Sequence, residues 1–321
     1  MPKMKTLLFI GKSNSFIGRI ILTKLKKKKI RVIFFDKKKI SLKQYLKSIN
    51  CKIDILWTNF GFFVNNQILK FINNSKLLIV SQTTGLNHIN FSKKNYPKVK
   101  IISLKNDFKF LRTIPSTAEH TFALFLALSK NIVSSFQEVK KMNWKRNSFL
   151  SLEIKGLIFG IVGNGRIGRI LGKIASSFGM KVLYYDLKKN KSRTKLNFLL
   201  EQSDVVSLNI DYKKINKNFF NKYHFDKMKN TSFFINTSRG ENVNQKDLLD
   251  ALKKKKIAGA GLDVLNEDTL WFESIPLKYR NVINYSKKNP NLIITPHIAG
   301  HTKQALSNTF DRVLAKMIEL V

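Results

Sequence analysis

Short apolar runs alternate with helix-like stretches along the whole chain. Runs at residues 6–10, 31–35, 53–58, 77–81 and 100–103 form one set, and runs at 157–162, 181–185, 205–209, 232–236, 259–264 and 292–295 form another. Their lengths predict strands, and the helical patterns between them predict parallel, doubly wound sheets. There are more strands than one sheet needs. Between the sets lies an apolar helix predicted over 117–133, opened by Ser116-Thr117-Ala118-Glu119 just after Pro115, which has the form of a capping box. This helix is expected to carry the chain from one domain to the next. A second helix is predicted over 302–320, with Leu306, Phe310, Val313, Leu314, Met317 and Ile318 on one face. The chain has no repeat, low-complexity segment or Gly/Ser-rich linker, so structured helices should join the domains.

The turn after the run at 157–162 reads Gly163-Asn164-Gly165-Arg166-Ile167-Gly168, and the next predicted strand ends in Asp186. Gly163 allows the tight turn, Gly165 lets the backbone approach a pyrophosphate with no Cβ in the way, and Gly168 lets the following helix pack close to the strand. Arg166 and Ile167 complete the first helical turn, whose positive end suits a phosphate. Asp186 stands where an acid accepts hydrogen bonds from ribose hydroxyls. A 2′-phosphate there would meet like charge, which favours NAD over NADP, although Lys188 and Lys189 could offset part of the repulsion. The plain alternative is that Asp186 only opens a turn. The expected fold class is therefore α/β, a Rossmann doubly wound parallel sheet joined to a second, flavodoxin-like domain.

Composition narrows the setting. At 321 residues and 43% hydrophobic content the chain can bury two globular cores. Its single cysteine, Cys51, permits no internal disulfide or four-thiolate metal site, which fits a reducing compartment. No apolar run approaches the ~20 residues of a membrane span, and the opening run is too short for a signal peptide. A cytoplasmic protein with no membrane partner is expected. The formal charge of +39 often marks nucleic-acid contact, but 49 of the 59 basic residues are lysines spread over the whole length. The lysine runs at 26–29, 37–39 and 253–256 read as solvated turns and helix ends. Nucleic acid is not an expected partner, whereas anionic small molecules should be drawn in a salt-dependent way. No histidines have metal-ligand spacing with carboxylates, so no metal is predicted.

Three later segments place reactive side chains at the ends of predicted strands. Phe234-Ile235-Asn236-Thr237-Ser238-Arg239-Gly240 ends in an arginine, Gly259-Ala260-Gly261-Leu262-Asp263-Val264 in an acid, and Ile294-Thr295-Pro296-His297-Ile298-Ala299-Gly300 in a histidine. Ligands of open α/β sheets bind at such carboxyl edges. Singly, the three residues read as a surface ion pair, a helix cap and a loop histidine; together, behind a nucleotide motif, they read as a site. The first segment of the chain mimics a second nucleotide turn, but Ser13 occupies the place of the middle glycine, so a plain strand-turn-helix is expected there.

These motifs, with Ser203-Asp204-Val205-Val206, Lys256-Ile257-Ala258 and Ala118-Glu119-His120, resemble in order and spacing the D-isomer-specific 2-hydroxyacid dehydrogenases over nearly the whole chain. The resemblance implies an NAD-dependent oxidoreductase interconverting a D-2-hydroxy acid and its 2-keto acid by hydride transfer. It implies that Arg239 holds the substrate carboxylate and keto oxygen and that His297 is the acid/base. Thr237 and Asp263 would help bind the cofactor, the latter near the nicotinamide carboxamide. The family orients its histidine with a glutamate five residues beyond the Asp263 equivalent. Here that position is Asp268, the preferred orienting acid, with Glu267 beside it as the alternative. The stretch 81–90 is similar to the family's carboxylate-binding loop, where backbone N–H groups of Thr84 and Gly85 would bind an anion although Thr83 replaces a glycine. Residues 1–112 and 298–321 would form the substrate domain and 113–297 the NAD domain, with the active site in the cleft between them. Phosphorylated or otherwise anionic acids fit the charge. The resemblance also implies a homodimer, with Phe122, Leu124 and Leu128 expected to be exposed in a monomer. His120 is expected at the interdomain face, His88 as a loop hydrogen-bonder, and His224 and His301 at the surface. The rival reading is a non-catalytic regulatory protein of the same fold that binds NAD(H).

Overall fold

The computed structural model of the chain describes residues 4–26, 28–36, 41–49, 51–186, 193–271 and 274–320. Expectations at Lys27, residues 37–39 and residues 188–189 lie outside them. The chain forms two compact units. One comprises Met1–Leu111, Thr269–Ser274 and Lys303–Val321; the other comprises Arg112–Asp268 and Ile275–Thr302. Compared with the division read from the sequence, residues 269–274 go with the first unit, where the Gly61 N–H donates to the Thr269 carbonyl at 2.9 Å, and residues 298–302 stay with the second.

In the first unit, strands β1 (Lys5–Ile10), β2 (Ile30–Phe35), β3 (Ile55–Trp57), β4 (Leu78–Val80) and β5 (Lys100–Ile102) make a parallel sheet in the order β2-β1-β3-β4-β5. Helices α1 (Phe16–Leu25), α2 (Leu42–Ile49), α3 (Asn66–Ile72) and α4 (Phe108–Leu111) lie between the strands in sequence. The β1 turn behaves as a plain connector. Ser15 caps α1 by accepting the Gly18 N–H at 3.1 Å, and Lys12 pairs with Asp36 at 3.9 Å.

In the second unit, α5 (Ser116–Ser129) and α6 (Ile132–Lys140) precede β6 (Ile158–Val162), α7 (Arg166–Ser177) and β7 (Lys181–Tyr185). There follow α8 (Arg193–Gln202), β8 (Val205–Leu208), α9 (Lys222–Lys227), β9 (Phe233–Asn236), α10 (Gln245–Lys253), β10 (Gly259–Leu262), α11 (Arg280–Lys288) and β11 (Leu292–Ile294). The sheet is parallel throughout, in the order β11-β10-β9-β8-β6-β7. The order reverses between β6 and β8, so the glycine turn after β6 sits at the switch point where such sheets bind ligands. Strands β8, β9 and β10 are buried at every position, as expected of parallel strands covered on both faces.

The long helix departs from expectation in three ways. It breaks after Ser129, where Asn131 adopts a left-handed φ of 53° and α6 begins. No capping box forms: Pro115 is the cap residue, and the Ser116 hydroxyl, buried in the first turn, bonds the Thr302 hydroxyl at 3.0 Å. Third, Phe122, Leu124 and Leu128 are buried within the unit rather than exposed. Phe122 packs on Phe178 at 4.7 Å and Phe159 at 6.1 Å, while Leu124 and Leu128 lie against Gly261 in β10. Apolar on nearly all sides, α5 is a core helix. Among the exposed apolar residues are Phe136, Met142, Trp144 and Leu150, on α6 and just beyond it. His224 also differs from expectation, since its ring completes a capping box with Asn221 at the start of α9.

The C-terminal helix α12 (Lys303–Ile318) belongs to the first unit. Phe310 stacks on Trp57 of β3 at 4.8 Å, and both side chains are fully buried. Asp107 receives Arg312 at 2.7 and 3.3 Å and Lys316 at 2.7 Å. The Arg312 hydrogen bond lowers its carboxyl pKa to about 2, against the opposing effect of burial and with further help from Lys316. An unfolded Asp titrates near ~3.9, so this folded-state depression stabilises fully above that pH and is lost as pH falls toward 2. Asp107→Asn should therefore flatten the fall in melting temperature between about pH 4 and pH 2. An acid limb identical to that of the wild type would contradict this.

Candidate active site

The nucleotide turn has the geometry its glycines predict. Gly163 holds φ at 114°, and a Cβ there would lie 2.6 Å from the Asn209 carbonyl oxygen. At Gly168 a Cβ would run into the Gly163 carbonyl, so α7 can begin this close to β6 only with glycine. At Gly165, the cap of α7, a Cβ would meet nothing within 4 Å; the backbone faces open space that a pyrophosphate can fill. The Asp186 carboxylate accepts the Asn164 N–H at 3.1 Å, tying the end of β7 to this turn. Arg166 is half-buried, donates Nη1 to the Ile114 carbonyl at 3.3 Å, and has its pKa lowered by burial. Ile167 is partly buried against the core beside it. These residues fit a dinucleotide. Gly165→Val should weaken NADH binding about tenfold or more without changing the melting temperature, because the new side chain enters only that open space. Fluorescence titration and thermal denaturation together check this; tight binding by the variant would refute the placement.

Arg239, Asp263 and His297 follow β9, β10 and β11, three neighbouring strands, at the same edge of the sheet as the glycine turn. Asn236 shapes the first of these ends: its Nδ2 donates to the Arg239 carbonyl at 3.0 Å, and its Oδ1 accepts from the Ser238 N–H at 3.0 Å. The Arg239 guanidinium is half-buried and donates Nη1 to the Ser238 carbonyl at 2.7 Å. Burial lowers its pKa, while the nearby Asp268 and Glu241 carboxylates raise it. Guanidinium remains charged under these influences. Thr237 is buried, and its hydroxyl meets Thr121 Oγ1 at 2.7 Å. Because Thr121 donates to the Thr117 carbonyl, Thr237 is the donor in that contact.

His297 adopts a left-handed φ of 55°, a conformation costing on the order of 1–3 kcal/mol for such a residue. Asp263 sustains it. The Asp263 carbonyl accepts the His297 N–H at 2.8 Å, and its carboxylate accepts the N–H groups of Ile298 at 2.9 Å and Ala299 at 2.8 Å, with the Thr295 hydroxyl at 2.6 Å. Burial raises the Asp263 pKa, but His120, Thr295 and these N–H groups outweigh it and leave the carboxyl below its ordinary value. The fully buried carboxylate is thus spent on shaping the histidine loop. His120 joins beneath it, with Nε2 at 3.0 Å from Thr295 Oγ1 and 3.5 Å from Asp263 Oδ1. Since Thr295 gives its only proton to Asp263, the His120 Nε2 must be the donor.

Of the two acids the sequence left open, Asp268 lies on the histidine: its Oδ2 is 3.0 Å from His297 Nδ1 and also accepts the Leu265 N–H at 3.1 Å. Glu267 turns outward to Lys278 and Tyr279, and Lys278 is the main reason its carboxyl titrates below the usual range. A carboxylate at Nδ1 fixes the proton there and leaves Nε2 for a reacting oxygen.

In the first unit, the loop after β4 is braced by side chains. The Thr83 hydroxyl donates to the Gly85 carbonyl at 2.8 Å, Ser81 Oγ meets Thr83 Oγ1 at 2.9 Å, and the buried His88 Nε2 meets Ser81 Oγ at 3.2 Å. Threonine at 83 therefore acts as a cross-brace of the loop. Thr84 is exposed and Gly85 half-exposed. Among the described residues, no group of three His, Cys, Asp or Glu could hold a metal ion, and no helix is long and apolar enough to cross a membrane.

The family model for the NAD-binding domain of D-isomer specific 2-hydroxyacid dehydrogenases matches residues 122–299, more than half the chain. The chain belongs to this family of NAD-dependent oxidoreductases. Glycerate dehydrogenase of Methylorubrum extorquens is 31% identical over 252 residues, 77% of this chain and 76% of that protein. Glyoxylate reductase of Thermofilum pendens is 36% identical over 203 residues, 59% of this chain and 57% of the relative. Among solved structures, D-lactate dehydrogenase of Aquifex aeolicus, complexed with NAD and lactic acid, superposes with a TM-score of 0.77 and 27% identity, covering 98% of this chain and 94% of that one. Within the family frame, two residues carry more than the sequence reading assigned them. His120 pairs with Thr295 from 175 positions away, and Glu241 accepts the Glu267 N–H at 3.1 Å. No spacing rule links such distant positions; the sequence put His120 in a helix-opening motif and at the interdomain face but offered no partner for it.

Proposed function

We propose that this member of the family interconverts a D-2-hydroxy acid and its 2-keto acid, with Arg239 binding the substrate and His297 moving the proton. The observation that carries this reading is the His297–Asp268 pair beside Arg239 at the ligand-binding edge of an NAD-type sheet. Bound at the glycine turn, the nicotinamide cofactor supplies the hydride in reduction and accepts it in oxidation. Arg239 presents a planar fork that can grip a carboxylate in two places and stabilise negative charge on the 2-oxygen. His297 Nε2 gives that oxygen a proton in reduction and removes it in oxidation, while Asp268 keeps the Nδ1 proton in place. Within the first unit, the amides of Thr84 and Gly85 are candidates for binding an anion. The names of the relatives favour small acids of the glyoxylate, hydroxypyruvate or lactate type.

The homodimer is supported by a different surface from the one the sequence suggested. Phe136, Met142, Trp144 and Leu150 are exposed within one 132–152 stretch, an apolar face of the kind that another subunit covers. Phe136→Glu with Trp144→Glu should convert a dimer into a monomer in sedimentation; an unchanged sedimentation coefficient would remove this surface from the proposal.

The test of function is NADH consumption with a panel of 2-keto acids, followed by the same panel with Arg239→Ala and His297→Asn. Turnover that survives both substitutions would overturn the mechanism. NADH binding with no turnover of any acid would favour the regulatory reading.

A further inference from the structure

We infer that Glu241 is a positioning residue for the Asp268–His297 pair. The inference deepens the proposed mechanism and rests on it for its kinetic arm alone. Asp268 has one methylene fewer than a glutamate, so its turn must stand closer to His297 to reach Nδ1, and it does so at 3.0 Å. Something must hold that turn in place. Within it Glu267 takes a left-handed φ of 60°, and its N–H donates to Glu241 Oε1 at 3.1 Å.

Glu241 is itself anchored. It lies in the short 3-10 turn Gly240–Asn242 directly after Arg239, and its carbonyl accepts the Asn218 N–H at 2.8 Å. The two backbone segments touch, because a Cβ at Gly240 would collide with the Leu265 carbonyl and the Asn266 nitrogen. The Glu241 carboxylate therefore crosses from the arginine turn to the acid turn as a strut. Its charge also acts on Arg239. Its second oxygen, Oε2, is buried with no hydrogen-bond partner among the described residues. Without it the Glu267 N–H loses its acceptor, the turn relaxes, and the short carboxylate withdraws from the imidazole.

The experiment compares wild type, Glu241→Ala and Glu241→Gln, alone and with Asp268→Asn. Two readouts are taken: steady-state kinetics, and the ¹⁵N signals of the His297 imidazole, assigned with His297→Asn. Glu241→Ala should lower kcat about tenfold and change KM for the keto acid and NADH less than about twofold. Glutamine keeps an acceptor oxygen and should restore kcat to within about twofold. With Asp268→Asn already present, Glu241→Ala should cost little more. The neutral imidazole should carry its proton on Nδ1 in wild type and Glu241→Gln, and on both nitrogens in turn in Glu241→Ala. A wild-type tautomer in Glu241→Ala, a glutamine variant as impaired as alanine, or full additivity with Asp268→Asn would each overturn the inference. Glu241→Ser, too short to reach, supplies the same comparison if the alanine variant does not fold. If the wild type reduces no acid, the proposed function fails while the tautomer measurement still decides the role of Glu241.

Discussion

Arg239→Ala should lower kcat/KM for a 2-keto acid by about 10² to 10⁴. Two charge-assisted hydrogen bonds to a carboxylate are together worth roughly 3–6 kcal/mol, and each ~1.4 kcal/mol is a factor of ten. NADH affinity should change little, because the glycine turn at β6 does not depend on the guanidinium. Stability should also hold, since among the described residues the Arg239 guanidinium donates only to the adjacent Ser238 carbonyl. Alanine has a side effect: it removes the cation beside Asp268 and Glu241, leaving two carboxylates without the charge that faces them. Arg239→Lys separates the two contributions. It keeps the charge but loses the planar fork, so a loss of about 10² is expected there. Steady-state kinetics across keto-acid concentrations measures both, and a lysine variant as active as wild type would remove the two-point grip from the mechanism.

His297→Asn should lower kcat by about 10² to 10⁴, the usual share of a positioned acid/base. Asparagine is the sound replacement because position 297 has a φ of 55°, which asparagine adopts more readily than alanine does. An alanine variant would confound lost chemistry with a rearranged loop. The Asp263 carboxylate should keep its contacts to the N–H groups of residues 298 and 299, so folding and NADH binding should survive. Asp268→Asn should fall between the two enzymes, about tenfold to a hundredfold down, because it leaves the imidazole in reach but frees its tautomer. Rapid-mixing measurement of NADH oxidation locates the loss in the chemical step. An unimpaired His297→Asn enzyme would assign the proton to another group.

Much of this was legible because parallel strands buried on both faces appear in sequence as unbroken apolar runs; β8 with Val205, Val206 and Leu208 is an example. The placement of Arg239 and His297 after strand ends was legible, because each follows an unbroken apolar run. The long helix was misread for a related reason. The run 122–128 is apolar at every position and so gives no phase, and nothing in it said that Phe122 faces Phe178 rather than solvent. The break at Asn131 needed a single left-handed residue, which asparagine permits but does not demand. The capping box failed because the Ser116 hydroxyl found Thr302, a competitor invisible at short range. The role of Glu241 was hidden in the same way, since it depends on a backbone N–H far along the chain.

The seating of Phe310 on Trp57, and of Asp107 on Arg312 and Lys316, bears on the order in which the protein is made. Synthesis runs from the N-terminus, yet the side chains that close over the first sheet emerge only after the whole second unit. The inserted unit should therefore mature while the earlier one waits with an apolar indole uncovered, a period in which a nascent-chain chaperone would find its binding surface.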